Sequence, residues 1–323
     1  MGSLAVEDQT LPQANTPFGL QPSILTAKCH PLVEEVTKEV DAYFSEHWPF
    51  KDEKQRNKFM SQGIPRVTCL YCANALDDRI AFACKLITIT FLTDDVLDHM
   101  SLDDGIVYNE KLMRLARGDE QPDRSIPVEY MMYDIWESMR AHDKSLADEV
   151  LEPAFVFMRA QVDKQRLKPM DLQTYFEYRE QDVGKAFLSA IMRFSMGLHM
   201  TSEELDLARP VEENCSKSIS VVNDICSYEK EVRIAARGHE GGALCSSVPI
   251  MQTIANVDVP GAKRILWQMC REWEVRHRQL VDEVTQKSAS PALAAYLEGL
   301  EYQMAGNEVW SLITPRYNDA TVG

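Results

Sequence analysis

The chain has 323 residues, 45% of them hydrophobic, and its 34 Lys plus Arg stand against 50 Asp plus Glu for a formal charge of −16. That is enough chain for one large core, and the acidic balance excludes the basic footprint of a nucleic-acid binder and attraction to an anionic membrane surface. No polar-free run reaches 18 residues, so neither a spanning helix nor stable membrane association is predicted.

Residues 1–24, rich in Pro, Gly, Gln and Thr, are expected to form a flexible N-terminal arm, with no charged-then-apolar secretory layout. Residues 25–323 are expected to form a single domain. Leu32–Phe44 and Lys51–Met60 carry helical patterns, the second strongly charged. Trp48 between them suits either a core anchor or a pocket rim. Val67–Leu76 and Ile80–Leu92 are apolar on most faces, as suits helices inside a bundle. Residues 103–123 read as a loop with a short helix, and Gly118–Ser125, GDEQPDRS, as a connector. One long helix is predicted over Pro127–Leu151, continued or kinked from Pro153 to Leu167. Met170–Met192 is the next. Thr201 or Ser202 followed by Glu204 marks the start of a short element ending at Val211. Glu212–Ala236 follows and is broken by Gly238–Gly242. The last helices are Pro249–Asn256, Pro260 to about Thr285, and Ser288–Thr314, before Pro315-Arg316-Tyr317. No β alternation or repeat is visible. The fold class is all-α, with ten to twelve helices.

Eight cysteines are scattered at 29, 69, 72, 84, 215, 226, 245 and 270. Cys69 and Cys72 have metal-like spacing, but no second Cys or His pair follows. Small core residues in a reducing, cytoplasmic compartment are the simplest reading.

Two stretches carry chemistry. Phe91–Met100, FLTDDVLDHM, ends the apolar run. On a helix Asp94 and Asp98 share a face, with Asp95 beside them. Carboxylates packed this closely repel unless a cation offsets them, and oxygen ligands suit magnesium. Alone, the stretch also fits an acidic helix end facing solvent. The second is Ser220–Glu231, SVVNDICSYEKE. Asn223, Ser227 and Glu231 recur every four residues along one helical face, a hard-oxygen ligand set for a divalent ion.

Together, 129 residues apart from Asp94 to Asn223, these stretches resemble the DDxxD and NDxxSxxKE motifs of class I terpene synthases. The resemblance spans roughly Leu25 to Asn318. It implies a single-domain class I terpenoid synthase-like helical bundle around a central cavity, with 25–323 as the catalytic α domain. It also implies a prenyl diphosphate substrate and three Mg2+ ions. Asp94, Asp95 and Asp98 would hold two of them, and Asn223, Ser227 and Glu231 the third. Asp94 is the leading ligand of its group.

The resemblance assigns cationic roles as well. Arg179, 44 residues before Asn223, lies near the family's diphosphate-sensing arginine, and its planar fork suits phosphate. Asp182 matches the linker residue. Val183 occupies the next position, where the family often has a small residue, and Gly184 follows, so the effector position is open between them. Lys230 resembles a further phosphate contact, and Arg316 with Tyr317 resembles the C-terminal RY pair. Cation-stabilising aromatic candidates for the pocket are Tyr71, Phe91, Phe187, Trp267 and Trp310, with Leu92 and Ser220 as further lining. Pyrophosphate itself is the candidate base.

The implied activity is that of a fungal-type sesquiterpene cyclase acting on farnesyl diphosphate. The alternatives are a cyclase for a C20 diphosphate and a chain-elongating prenyl diphosphate synthase, which would carry a second aspartate-rich motif at 223–231. No DxDD stretch of a class II cyclase appears. A homodimer is a candidate assembly.

Overall fold

The computed structural model describes residue 19 and residues 21–318. The described residues hold fourteen α-helices, one 3-10 turn and no strand. The all-α expectation is met.

In chain order the helices are α1 (Val33–His47), α2 (Glu53–Met60), α3 (Ile64–Tyr71), α4 (Ile80–Leu97), α5 (Leu102–Arg117), α6 (Pro127–His142) and α7 (Lys144–Ala160). Then come α8 (Leu172–Asp182), α9 (Lys185–Met196), α10 (Ser202–Ala235), α11 (Ser247–Ala255), α12 (Val259–Thr285), α13 (Pro291–Ile313) and α14 (Pro315–Asn318). Helix α4 buries ten side chains distributed around its circumference, which its nearly unbroken apolar sequence requires. It packs against α3, α6 and α1, while α10 packs against α12 and α13, and α7 against α9. A cavity opens among α3, α4, α7–α10, α13 and α14. The remaining helices contribute no residue to its wall.

Several boundaries differ from the sequence reading, each for a local reason. The break expected at Pro153 lies at Asp143, whose carboxylate caps α7 by accepting from Leu146 N at 3.1 Å and pairs with Arg79 at 3.0 Å. Pro153 sits inside α7, where its missing N–H removes one intrahelical bond. Residues 103–123 hold a full helix, α5, started by Ser101 accepting from Asp104 N and ended at Gly118 with φ +83°. Met170–Met192 is two helices, turned at Gly184 with φ +70°. The elements expected on either side of residue 211 are one 34-residue helix, α10, about 51 Å long at the α-helical rise. It begins with a capping box between Thr201 and Glu204 and runs through Pro210. The metal-motif face therefore lies on the distal half of one rigid rod.

Of the arm expected over residues 1–24, residues 1–18 and 20 lie outside the described residues. Residues 21–24 lie against α12: Arg271 Nε donates to Gln21 O at 2.9 Å, and Ile24 N donates to Glu274 Oε2 at 2.9 Å. Arg271 also grips Glu308 of α13 through two bonds of 2.7 and 2.8 Å. No helix among the described residues is long and apolar enough to cross a membrane.

His277 on α12 is fully buried, and neither ring nitrogen has a hydrogen-bond partner. Burial lowers its pKa to about 4, and Lys185 and Arg278 add repulsion. Folding thus favours the neutral ring. This contribution is complete above the ordinary value of 6.5 and is lost as pH falls toward about 4. The loss is on the order of 3 kcal/mol across that window. His277→Gln is expected to flatten the fall in Tm between about pH 7 and pH 4.5, as read by thermal unfolding. An unchanged slope would assign the acid sensitivity to other groups.

Candidate active site

The carboxylates of Asp94, Asp95 and Asp98 converge at the end of α4, with one oxygen from each lying within 4.8 Å of the others. Among the described residues this is the one His/Cys/Asp/Glu group so arranged. The three are held differently. Asp94 accepts from Gln161 Nε2 at 2.9 Å. Asp95 receives both arms of Arg316, at 2.8 and 3.2 Å, and Lys230 stands 3.9 Å away. Burial opposes the charge of Asp95, but Arg316 and Lys230 outweigh it and hold the carboxyl below its usual range. Asp98 lacks such a partner. Burial, reinforced by the neighbouring Asp94 charge, pushes it up to about 7.

The second motif faces this group from α10. Asn223 Oδ1 accepts from Arg179 Nη2 at 2.8 Å, and its Nδ2 donates to Tyr317 OH at 2.8 Å. Ser227 is buried and donates to Glu231 Oε1 at 2.5 Å. Burial raises the Glu231 carboxyl, with Arg179 opposing the rise. Asn223, Glu231, Lys230, Asp94 and Asp98 line the same cavity of about 190 Å³. Ser227 lies just behind that wall.

Arg179 is buried and belongs to this network. It pairs with Asp182 and with Asp224 Oδ1, the latter at 3.2 Å. Asp224 is fully buried and accepts from Ser247 N and Oγ at 2.8 and 2.6 Å and from Tyr175 OH. These bonds fix the guanidinium from behind. The sequence reading assigned Asp224 no role, although it is the second letter of the NDxxSxxKE pattern. Val183 lines the cavity and Gly184 does not. A Cβ at Gly184 would meet Phe157 at 2.9 Å, so the turn itself needs glycine.

Arg316 also donates to Gln62 Oε1 at 2.9 Å and lies over the Phe91 ring, 5.0 Å from its centroid. Trp310 meets Phe91 and Tyr317 edge-on, at 6.0 and 5.4 Å between centroids. Tyr71 OH donates to Asn307 Oδ1 at 2.8 Å. Phe187 stacks on Phe157 at 5.8 Å. Tyr71, Phe91, Phe187 and Trp310 all line the cavity.

Trp267 is a correction. It is fully buried in a separate cluster with Val221, Val222 and Ile225. Those residues occupy the face of α10 opposite Asn223, so the indole packs α12 onto α10 away from the cavity. Nor do Leu92 and Ser220 line it; Leu92 borders a second cavity, and Ser220 is buried in packing. Gln161, Asn307, Phe157 and Arg166 line the cavity without having been singled out. They come from helices and a turn whose sequences carry no metal or phosphate motif.

The segment after α10 ties the two motif helices together. Gly241 N donates to Met100 O at 3.1 Å, and a Cβ at Gly241 would stand 2.0 Å from Leu97 O. Only glycine allows the 238–242 turn to lie this close to the end of α4. Gly241→Ala must lift the turn. It is expected to destabilise the fold and to weaken any rise in Tm on adding a divalent cation. Gly238→Ala has φ +82° but nothing within 4 Å, and should cost only the left-handed strain of about 1–2 kcal/mol. Equal losses and equal metal-induced shifts in the two variants would contradict a clamp at Gly241.

The residues from 85 to 276 match the family described as "Terpene synthase family 2, C-terminal metal binding". The chain is 58% identical over 299 residues to aristolochene synthase of Aspergillus terreus, covering 92% of this chain and 93% of that one. It is 51% identical over 324 residues to aristolochene synthase of Penicillium roqueforti, covering 98% and 94%. The crystal structure of aristolochene synthase from Penicillium roqueforti superposes with a TM-score of 0.82, at 52% identity over 91% of this chain and 99% of that chain. Hedycaryol synthase in complex with nerolidol, at 15% identity and a TM-score of 0.71, shares the fold. The chain belongs to the class I terpene synthases, with the metal-binding region of that family spanning α4 to α12.

Proposed function

We propose that this protein is a sesquiterpene cyclase that ionises farnesyl diphosphate, closes the carbon chain and releases pyrophosphate. Its product is proposed to be aristolochene, the hydrocarbon for which the relatives at 51–58% identity are named. The observation that carries the reading is the juxtaposition of oxygen ligands from α4 and α10 across one cavity whose far wall is aromatic.

The donor set suits magnesium. Its atoms are carboxylate, amide and hydroxyl oxygens, and Asp98 is raised first by burial and then by the neighbouring Asp94 charge. In the proposed reaction Asp94, Asp95, Asp98, Asn223, Ser227 and Glu231 would hold three Mg2+ ions. Bound magnesium would supply neutralisation of the charge growing on the leaving diphosphate. Arg179, Lys230, Arg316 and Tyr317 bind and orient the diphosphate. Asp182 and Asp224 aim Arg179, since a guanidinium fixed before the bond breaks costs no reorganisation as charge develops. Val183 lies beside Arg179 on the cavity wall and is the proposed effector position.

The aromatic wall of the cavity protects the cation. Phe91, Phe157, Phe187 and Trp310 exclude water, and each ring face facing the cation contributes about 0.5–2 kcal/mol. Tyr71 directs its hydroxyl proton to Asn307, so this ring enters the site without an unpaired donor. Pyrophosphate, held by the cations above, is positioned to take up the final proton.

Incubation with farnesyl diphosphate and magnesium, followed by gas chromatography with mass detection, should yield a C15 hydrocarbon without isopentenyl diphosphate. A requirement for isopentenyl diphosphate, or exclusive use of a C20 substrate, would overturn the reading. Asp94→Ala and Asn223→Ala should each lower turnover at limiting magnesium about 100-fold or more, with Tm close to wild type. Arg179→Lys should also lose turnover, because a point charge cannot hold Asn223, Asp182 and Asp224 at once. Wild-type rates in any of these variants would remove that residue from the proposed site.

A further inference from the structure

A second cavity, of about 310 Å³, adjoins the first on the outer side of the Asp95–Arg316 pair. The two share Asp98, Lys230, Ile234 and Arg316. The floor of the second is apolar, formed by Trp48, Phe50 and Phe59, with the two phenyl rings 5.8 Å apart. Its rim is cationic. Lys58 comes from α2, Arg233 from the end of α10, Arg237 from the turn after it, and Lys230 and Arg316 from the shared wall.

Five cations therefore face two carboxylates, Asp95 and Asp98, in a chain whose formal charge is −16. Lys58, Arg233 and Arg237 form no ion pair with any carboxylate among the described residues, whereas Lys85 pairs with Glu39 and Arg140 with Asp148. A cation in the last turn of a helix is common, because it meets the negative end of the helix dipole. That accounts for Lys58 and Arg233 one at a time. It does not account for cations from separate helices converging on one cavity whose lining holds only two carboxylates.

We propose that this cavity is an outer binding site for a diphosphate group, built from cations alone and standing next to the inner site, which uses metals. The origin of its ligand rests on the reading above, in which Lys230 and Arg316 of the shared wall bind the diphosphate; its geometry does not. Lys58 and Arg233 grip the phosphates at the rim. Lys230 and Arg316, common to both walls, pass the group between the two sites. The aromatic floor keeps the site partly dry, which strengthens each charged contact.

Metal-free titration separates the two sites. Sodium pyrophosphate is titrated calorimetrically into the full chain in EDTA. One site per chain is expected, with affinity falling as sodium chloride is added. The double variant Lys58→Gln/Arg233→Gln should bind at least about tenfold more weakly, and Asp94→Ala should bind like wild type. Absence of metal-free binding, or equal affinity in the double variant, overturns the proposal. Kinetics distinguishes the source of the ligand. A lower kcat/KM for farnesyl diphosphate in the double variant assigns the site to incoming substrate; a higher inhibition constant for added pyrophosphate assigns it to the departing product. Either upholds the site, and a change in neither overturns it. Metal-free binding in a protein that fails to turn over farnesyl diphosphate would bring down the cyclase reading and leave the outer site standing.

Discussion

Three carboxylates at one helix end repel each other, and much of the surrounding architecture answers that repulsion. Arg316 reaches back from the last helix to clasp Asp95, Gln161 donates to Asp94, and Lys230 approaches from α10. Asp98 is left with its charge uncompensated and its carboxyl pushed up to about 7. The cluster is thus stable as it stands only with part of its charge suppressed. A divalent cation would remove that constraint, because it pulls all three groups toward the charged form. The clasp also joins the last helix to α4, so the ion pair that relieves the repulsion closes one side of the cavity.

The second motif is set up by the opposite device. Arg179 is a buried cation surrounded by Asp182, Asp224 and the Asn223 amide oxygen. A buried guanidinium is costly unless its donors are matched; Nη1 and Nη2 are matched here, and Nε is buried without a partner. Asp224 in turn receives bonds from Tyr175 and Ser247. The network runs from α8 through α10 to the start of α11, which makes the position of Asn223 a property of three helices. An incoming diphosphate would find this guanidinium already aimed, and rigid placement is what electrostatic stabilisation of a leaving group requires.

The two motif faces were legible because helical periodicity puts residues four apart on one side; the second stretch lies wholly within α10, and the first runs to the end of α4, with Asp98 at its cap. The oxygen chemistry of the ligands followed from residue type. The resemblance then placed Arg316 and Tyr317 at the site, and the cavity includes both. What stayed hidden depended on contacts distant in sequence. Trp267 lies in the same apolar pattern whether its helix faces a cavity or another helix, and only the packing of α12 on α10 decides. The break at Asp143 was masked by Pro153, the stronger local signal, because Asp143 gains its hold from Arg79, 64 residues away. Asp224 escaped notice since a carboxylate one place along from a ligand reads as exposed until Tyr175 and Ser247 are seen to bury it.

A chain of charge −16 is an unexpected host for a polyanion, and screening resolves the conflict. At physiological salt, exposed charges separated by more than about 8 Å hardly interact. A diphosphate at the mouth of the cavity responds to Arg179, Lys230, Arg316 and the cations beside them, and scarcely to acidic residues on α5 or α12. The chain can therefore stay acidic overall, which favours solubility and discourages nonspecific capture of nucleic acid. At the inner site Arg316 already pairs with Asp95, so part of its charge is offset before a diphosphate arrives, and the proposed metals would supply the remainder.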